Sequence, residues 1–341
     1  EYDGAVHIRG LERWIADRVP VARQGTETAA TPRRIAILGG GPAGLAAAYE
    51  LARAGHRPVI FDGEAALGGV LRTGIPAYRL PRDVLDLEIQ GVLDLGVETR
   101  LGTFLAPGQV ADLLDDHDGV ILATGLQRLR DLGVEGHDLD GVEQGIRFLR
   151  RVNVEGGATL RGHVVVLGGG NTAMDCARSA LRSGADSVTV VYRRTRHEMP
   201  AIPEEVDEAE EEGVTLLLQR QPVAFHGNGR VQAVEIAEVE MGEPDDTGRR
   251  RPVVTDRTTR LPCDDVLLAV GQSADATLLP AGWTLLDGQV HRVGEPVPVL
   301  AAGDLATGDG TVTHAIGSGR RAAGRVLRAL GEHAEVFERP D

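Results

Sequence analysis

Cysteine is almost absent from this sequence of 341 residues, in which only Cys176 and Cys263 occur. Two cysteines cannot build the disulfide scaffold of a small secreted domain. They are also too few for an iron–sulfur cluster, which is usually held by about four thiolates. Because scarce cysteine is typical of reducing compartments, we expect a cytoplasmic protein that needs no disulfide.

Long apolar runs and an excess of basic charge are also missing. No run approaches the roughly 20 apolar residues that a membrane-spanning helix needs, and the acidic first residues lack the apolar core of a signal peptide. The net charge is −15, whereas nucleic-acid surfaces carry basic stripes. We therefore expect no membrane and no nucleic-acid partner. Residues 204–212, which are rich in glutamate, are interpreted as a solvated helix face.

Glycine, by contrast, is abundant, with 45 residues. A first group follows a short apolar segment, residues 34–38, and precedes an expected helix over residues 45–54. In this G-x-G-x-x-G turn the first glycine permits the tight turn, the second admits a pyrophosphate, and the third allows close helix–strand packing. Asp62 ends the next expected strand 18 residues after the last of these glycines, near the distance of a ribose-binding carboxylate. The predicted residues of this turn are Gly39, Gly41, Pro42, Ala43 and Gly44.

The same plan returns 129 residues later, with Gly168, Gly170 and Ala173 between an apolar strand (164–167) and a helix (172–183). The second strand of this unit (187–192) ends at Arg193 and Arg194 instead of an acid. An arginine accommodates the 2′-phosphate of NADPH, which an acid would repel. Two charge-assisted hydrogen bonds of ~1.5–3 kcal/mol each favour NADPH over NADH by about 10²–10⁴. We expect the nearby Arg178 and Arg182 to be exposed, and Arg196 to help bind the phosphate.

FAD is predicted for the first unit because three further elements suit a flavin site. Gly68 and Gly69 form a turn that can approach the pyrophosphate from the other side. Gly303 and Asp304 end a late strand, where the carboxylate can bind a ribityl hydroxyl. A helix then begins near Thr311, Val312 and Thr313, and its dipole can point at the flavin N1–O2 edge.

Two similar segments mark where the chain is expected to cross between domains. One is the strand at 119–125, which ends in Ala123, Thr124 and Gly125, and the other is 266–271, which ends in Gly271. The sequence thus predicts an α/β fold of two Rossmann-like three-layer domains, with the NADPH domain inserted into the FAD domain. The expected ranges are a lead-in at 1–31, the FAD domain at 32–145 and 270–341, and the NADPH domain at 146–269.

Several short motifs resemble one flavoprotein family. The chain is similar to the small (beta) subunit of NADPH-dependent glutamate synthase, to the flavin module of dihydropyrimidine dehydrogenase and to the large subunit of NADPH–ferredoxin transhydrogenase. Besides the glycine turns, the stretches that carry the resemblance are Gly68-Gly69-Val70-Leu71-Arg72, Gly74-Ile75-Pro76, Tyr78-Arg79-Leu80-Pro81, Asn171-Thr172-Ala173-Met174-Asp175, Tyr192-Arg193-Arg194, Glu198-Met199-Pro200-Ala201, Ala302-Gly303-Asp304, Ala315-Ile316 and Gly319-Arg320.

The resemblance implies oxidation of NADPH, hydride transfer to flavin N5 and onward electron transfer to a partner subunit with an iron–sulfur cluster or a flavin. It places Arg72 and Arg79 by the flavin, and Asn171 and Asp175 near the nicotinamide end of the cofactor. Further residues predicted to bind the cofactors are Leu71, Ala123, Thr124, Gly125, Thr172 and Gly271. Family members carry a cysteine-rich helical domain at the N-terminus. Residues 1–31 are expected to be a remnant of it, with residues 6–17 as the helix that follows its last cysteine.

Other functions stay open at this point. A disulfide reductase of the thioredoxin reductase type needs a reactive cysteine pair, which the spacing of Cys176 and Cys263 does not favour. A stand-alone flavin reductase or a flavin monooxygenase would also contain two dinucleotide sites. A nucleotide-binding scaffold without turnover is the non-enzymatic alternative.

Overall fold

The structure is a computed structural model that describes residues 8–19, 25–106, 108–244, 250–275, 277–308 and 310–331. Part of the expected lead-in, including Val6, lies outside these residues. The helix predicted there begins at Ile8 among the described residues and ends at Ala16. No helix in the described part of the chain is both long and apolar enough to cross a bilayer.

The strands, in chain order, are β1 (Arg34–Leu38), β2 (Arg57–Phe61), β3 (Glu98–Arg100), β4 (Gly119–Leu122), β5 (Arg128–Leu129), β6 (Val142–Gln144), β7 (His163–Leu167), β8 (Ser187–Tyr192), β9 (Thr215–Leu218), β10 (Arg220–Asn228), β11 (Arg230–Pro244), β12 (Arg250–Pro262), β13 (Asp265–Leu268), β14 (Gln272–Ser273), β15 (Trp283–Leu286), β16 (Gln289–Arg292) and β17 (Glu295–Ala301). The helices are α1 (Ile8–Ala16), α2 (Pro42–Arg53), α3 (Val70–Thr73), α4 (Arg82–Leu93), α5 (Leu113–Asp116), α6 (Gly145–Val154), α7 (Asn171–Arg182), α8 (Pro203–Glu211), α9 (Asp304–Thr307) and α10 (Val312–Ala329), with a 3₁₀ turn at Arg196–Glu198.

The first sheet has seven strands in the order β15-β16-β17-β4-β1-β2-β3. Its five strands from β17 to β3 are parallel, and β15 and β16 add an antiparallel edge. Successive residues of β1 point to opposite faces. Ile35 and Ile37 pack in the core formed with α2, α4 and α10, whereas Ala36 and Leu38 belong to the core on the other face. Because both faces of the sheet are buried, β1 has an unbroken run of apolar residues after Arg34.

The second sheet has five parallel strands in the order β6-β13-β7-β8-β9. Val164 and Val166 of β7 pack on the helix side, with residues of α6, α7 and α8. Val165 and Leu167 face the antiparallel sheet β10-β11-β12, and their core includes Phe225. Helices, parallel sheet and antiparallel sheet thus form three layers, and the predicted fold class is confirmed.

The chain passes between the two sheets through a two-stranded link, in which β5 pairs antiparallel with β14. The predicted domain ranges stay a prediction, but pairing departs from them within residues 135–144, where Glu135 bridges to Ala224 and Asp140 bridges to Arg230. Val142–Gln144 falls within the range expected for the FAD domain, yet β6 pairs with β13 in the second sheet. Three half-buried residues offer no periodic signal that could have revealed this strand.

Two helices of the first domain cross at very short range. A Cβ atom placed on Gly319 of α10 would lie 2.1 Å from the carbonyl oxygen of Ala43 in α2. In the same helix, a Cβ on Gly317 would meet only the Nη1 atom of Arg321, at 3.4 Å. The backbone of α10 therefore rests on α2 at Gly319, and this contact sets the distance between the two helices.

Gly319→Ala is expected to lower the free energy of unfolding by about 1–3 kcal/mol, because the added methyl group must push the two helices apart. The matched variant Gly317→Ala should leave stability unchanged or raise it by up to about 1 kcal/mol, since alanine is the better helix former. Urea unfolding followed by far-UV circular dichroism measures both. Equal free energies of unfolding of the two variants would show that the close helix crossing at Gly319 does not contribute to stability.

Candidate functional site

The first glycine turn joins β1 to α2 and is closed by the strand that crosses behind it. Gly39 has φ +103°, and a Cβ atom there would lie 2.4 Å from the carbonyl oxygen of Ala123. A Cβ on Gly44 would lie 1.9 Å from the carbonyl oxygen of Gly39. Both positions therefore require glycine: Gly39 for its backbone conformation and its neighbour, Gly44 because helix and strand touch there.

The turn at Gly68 and Gly69 lies directly against this first turn. A Cβ on Gly69, which has φ +51°, would be 2.9 Å from the Cα of Gly41. A Cβ on Gly41 would instead enter open space, with the Gly69 Cα as its nearest atom at 3.9 Å. The space in front of Gly41 lies at the N-terminus of α2, where free N–H groups attract phosphate. These residues therefore fit a pyrophosphate group.

Asp62 follows β2 at the same edge of the sheet. Its Oδ2 accepts a 2.6 Å hydrogen bond from the Gly40 amide, and its Oδ1 accepts one of 2.8 Å from the Glu64 amide. The carboxylate is thus held beside the glycine turn, where a ribose would follow the pyrophosphate. This geometry fits the predicted ribose role.

The late elements of the first domain approach the same turn. Gly303 has φ +65°, and a Cβ on it would be 2.8 Å from the Cβ of Ala43. Asp304 begins the short helix α9 directly after this turn. Thr311 caps α10 by accepting a 3.4 Å hydrogen bond from the amide of His314. Val312 and Thr313, the first residues of α10, are exposed.

The second glycine turn repeats the geometry of the first. Gly168 has φ +148°, and a Cβ on it would lie 2.3 Å from the carbonyl oxygen of Ala269, just as Gly39 lies against Ala123. A Cβ on Gly170 would point into open space, with only the Cγ of Pro200 at 3.8 Å. Ala173, at the third position, is fully buried. The second turn therefore fits a second pyrophosphate.

The crossing segments hold these turns in place from behind. The amide of Ala123 donates to the carbonyl of Leu38 (2.7 Å), and the amide of Ala269 donates to that of Leu167 (2.8 Å). Each crossing then turns at a glycine with positive φ, Gly125 at +69° and Gly271 at +95°. The carbonyl of Thr124 accepts a hydrogen bond of 2.6 Å from the side chain of Gln127.

The arginines after β8 lie beside the end of the antiparallel sheet. Arg194 donates from Nε to the carbonyl oxygen of Arg250 at 3.0 Å, and Arg193 is exposed. Arg250 in turn pairs with Glu198 at 3.0 Å. Hydrogen bonds from Thr195, together with Arg250, lower the pKa of Glu198 to about 2. Glu198 therefore stays ionised and holds the loop after β8 against β12.

Arg196 was predicted to help bind the phosphate, and this role stays a prediction. Its guanidinium pairs with Asp207 and Glu210 of α8. The interpretation of residues 204–212 as a solvated helix face is wrong in part, because acidic side chains of α8 pair with arginines of other elements. Sequence spacing alone could not show that these arginines and acids, on separate elements, meet.

A polar cluster joins the two domains. Arg79, from the loop before α4, donates from Nη1 to both carboxylate oxygens of Asp175 in α7 at 2.8 Å. Its Nε lies 2.9 Å from Oε1 of Glu205 in α8. The side chain of Asp175 is only 6% exposed. We call these three residues the inter-domain cluster. Both Arg79 and Asp175 were predicted to contact cofactors; that role stays a prediction, and here they bind each other.

Tyr78 extends the inter-domain contact. Its ring lies under two guanidinium groups of α7, 4.8 Å from the Cζ of Arg178 and 4.1 Å from that of Arg182. Arg178 is buried and pairs with Glu205 and with Glu212. The prediction that Arg178 would be exposed is therefore wrong, because the tyrosine and the glutamates cover it.

The remaining predicted residues have structural partners. Asn171 accepts a 2.9 Å hydrogen bond from the Ile202 amide, and this bond fastens α7 to the start of α8. Arg72 donates from Nε to the carbonyl oxygen of Leu67 at 2.6 Å and pairs with Asp86. The carbonyl of Leu71 accepts a 2.9 Å hydrogen bond from Arg82. Thr172 is exposed at the start of α7.

The comparisons with known proteins decide the family. A sequence profile described as pyridine nucleotide-disulphide oxidoreductase matches residues 33–319. The chain belongs to this family. Within it, the chain is 36% identical over 357 residues to the glutamate synthase [NADPH] small chain of Escherichia coli (strain K12), covering 96% of this chain and 75% of that protein. The family resemblance drawn from the motifs is thereby confirmed.

Other members of the family are larger than this chain. It is 41% identical over 364 residues to the NADP(+)-dependent formate dehydrogenase subunit beta of Moorella thermoacetica, covering 94% of this chain and 50% of that protein. It is 36% identical to the NADPH-Fe(3+) oxidoreductase subunit beta of Geobacter sulfurreducens, of which it covers 55%. The chain thus spans about half the length of these two relatives, both of which are named as subunits.

Solved structures support the predicted fold. Mycobacterium tuberculosis FprA in complex with NADPH superimposes with a TM-score of 0.74 at 19% identity, covering 88% of this chain and 85% of that one. Thioredoxin reductase of T. acidophilum gives a TM-score of 0.62 at 22% identity, covering 88% of this chain and 100% of that one.

The predicted enzyme class, an NADPH-dependent flavin oxidoreductase with FAD and NADPH as cofactors, is confirmed by the family.

The cysteines of this family member do not form a reactive pair. Cys176 and Cys263 are both buried and free. Cys176 packs in the core on the helix side of the second sheet, whereas Cys263 packs in the core on the opposite side. Burial raises the pKa of Cys176 well above its usual value, and that of Cys263 to about 12. Neither thiol has the low pKa of a redox-active cysteine.

The inter-domain cluster makes stability depend on pH. Burial raises the pKa of Asp175 to about 6, from 3.8, although Arg79 opposes the shift. Between these two values the folded protein holds a proton that the unfolded chain has released. The contribution of Asp175 to stability is therefore largest below the lower value and is lost as pH rises through the higher one. Two pKa units correspond to about 3 kcal/mol at roughly 1.4 kcal/mol per unit.

Asp175→Asn removes the titrating group and keeps the shape of the side chain. We expect the free energy of unfolding of the wild type, minus that of this variant, to fall by an amount on the order of 3 kcal/mol as pH rises from about 4 to about 7. Urea unfolding at four pH values across this window measures the difference. A difference that stays constant, or that grows with pH, would contradict the raised pKa.

Proposed function

We propose that this chain is the NADPH-oxidising, FAD-containing electron-input unit of a larger enzyme. The observation that carries the proposal is the repetition of one cradle in two domains, in which Gly39 and Gly168 are matched by Ala123 and Ala269 behind them. Two cradles fit two dinucleotides. When bound, these groups supply the chemistry: NADPH gives a hydride to the flavin, which can release electrons one at a time.

FAD is proposed for the first domain, where the chain offers contacts along an extended molecule. Gly41 and Gly69 would flank the pyrophosphate, and Asp62 would bind the adenosine ribose. Asp304 would bind a ribityl hydroxyl, and the N-terminus of α10 at Thr311 would face the flavin edge on which negative charge develops. The protein groups thus bind, orient and stabilise charge, and no side chain needs to act as an acid or a base.

NADPH is proposed for the second domain because of the charge after β8. Arg193 and Arg194 stand where an NADH-binding domain carries an acid. Glu198 is ionised and, with Arg250, steadies the loop that contains both arginines. An arginine on a loop that is steadied in this way can bind the 2′-phosphate through charge-assisted hydrogen bonds.

The proposed acceptor is a protein subunit that holds an iron–sulfur cluster or a flavin. Support comes from the names of the relatives, which include a glutamate synthase small chain and two beta subunits. The two buried cysteines of this chain can neither hold a cluster nor reduce a disulfide, so the electrons need an exit elsewhere. The substrate that finally receives them would be bound by another polypeptide or by another part of the protein.

The first test is an anaerobic reduction. We expect one equivalent of NADPH to bleach the flavin absorbance of the purified protein rapidly, and NADH to do so slowly or not at all. Stopped-flow absorbance at the flavin band measures both rates. Purified protein that cannot bind FAD, or bound flavin that neither nucleotide reduces, would overturn the proposal.

The basis of nucleotide preference is tested by replacing Arg193 and Arg194 together with alanine. Loss of about two charge-assisted hydrogen bonds should raise the apparent Kd for NADPH by about 10²–10⁴ and change that for NADH little. The control is Arg161→Ala, because Arg161 is exposed at the opposite, amino end of β7. Equal losses for the two nucleotides would show that the arginines do not recognise the 2′-phosphate.

A further inference from the structure

Phe104 is an exposed aromatic residue in a chain that has only five phenylalanines. Its exposed fraction is 82%, whereas Phe148 and Phe225 are buried. It follows β3 in the first domain, at the edge of the sheet where Asp62 lies. A single exposed apolar side chain needs no explanation by itself. Phe104, however, lies next to Asp62, which is proposed to bind a ribose, and this position suggests a role for the exposed ring.

The ring of Phe104 packs on the backbone of Gly63, the residue after Asp62. A Cβ atom on Gly63 would lie 2.3 Å from Cε1 of the ring and 2.5 Å from Cζ. Any side chain at position 63 would therefore displace the ring. Gly63 is not among the described glycines with positive φ, so the ring of Phe104, and not the backbone conformation, is what a side chain at this position would meet.

The loop that carries Phe104 is tied to the same segment by backbone hydrogen bonds. The amide of Thr103 donates to the carbonyl oxygen of Asp62 at 2.9 Å, and the amide of Gly102 donates to that of Glu64 at 3.0 Å. The carboxylate of Glu64 pairs with Arg150 of α6, so its charge is compensated. These hydrogen bonds hold the backbone before Phe104 beside Asp62, the residue proposed to bind the ribose, and most of the ring surface is open.

We propose that the ring of Phe104 stacks on the adenine of FAD. The inference rests on the proposed FAD site and names a further binding residue for it. With the adenosine ribose at Asp62, the base attached to that ribose extends along the protein surface past Gly63. An uncharged, planar purine there would cover the open face of the ring, and stacking on an aromatic ring needs no hydrogen-bonding pattern.

The test is titration of the apoprotein with FAD by isothermal calorimetry. Phe104→Ala is expected to raise the Kd for FAD by roughly 5- to 100-fold, the usual range for loss of one stacked base. Phe104→Trp keeps an aromatic face and should stay within about threefold of the wild type. Leu286→Ala, which removes a 59% exposed side chain of β15, is the control and should not change the Kd.

A second titration separates stacking from general damage to the site. ADP contains the adenosine half of FAD and should lose affinity for Phe104→Ala by a similar factor, whereas for FMN, which lacks adenine, the variant and the wild type should behave alike. An unchanged Kd for FAD, or a loss that Phe104→Trp does not rescue, would overturn the stacking role while leaving the FAD site intact. Failure of the wild-type apoprotein to bind FAD would instead overturn the proposed function itself.

Discussion

Both glycine turns of this structure depend on a contact between a glycine and the carbonyl oxygen behind it. At Gly39 and again at Gly168, a Cβ atom would lie within 2.4 Å of a carbonyl oxygen on the neighbouring strand, at Ala123 and Ala269. Only glycine lets β1 and β7 end so close to the residues that follow β4 and β13. The turn is thereby pressed against the sheet, and the following helix directs its N-terminus at the space where a phosphate would lie. In both sheets, the glycine turn and the crossing segment behind it meet at this contact.

Much of this arrangement could be predicted from the sequence because it is local. The strand at Arg34–Leu38 and the strand at Ser187–Tyr192 lie at the predicted residues, and the helices α2 and α7 begin one to three residues earlier than expected. Pro42 explains the earlier start of α2, since proline at the first helical position gives up an amide that would have no partner there. Glycine spacing and apolar runs report neighbours along the chain, and these features consist of such neighbours.

The inter-domain contact could not be predicted, because it joins residues that are far apart in the sequence. Arg79 and Asp175 were both placed at cofactors, and Arg178 was expected in solvent, yet the three lie in one ionic group with Glu205. A run of glutamates looks the same whether it faces water or arginines. Only the packing of α7 and α8 under the Tyr78 loop distinguishes the two cases. Likewise, the exposed ring of Phe104 carries no motif that would separate it from an ordinary loop residue.

The two-stranded link between β5 and β14 has a consequence for the history of such chains. The chain segment that forms the second sheet begins and ends at neighbouring points, since Leu129 is paired with Gln272. A unit whose two ends lie side by side can be added to a host at a single position without separating the host's own strands. This segment is therefore built as a cassette. If it binds the nucleotide, as proposed, its exchange would change which reductant the protein accepts, while the first sheet would keep its fold.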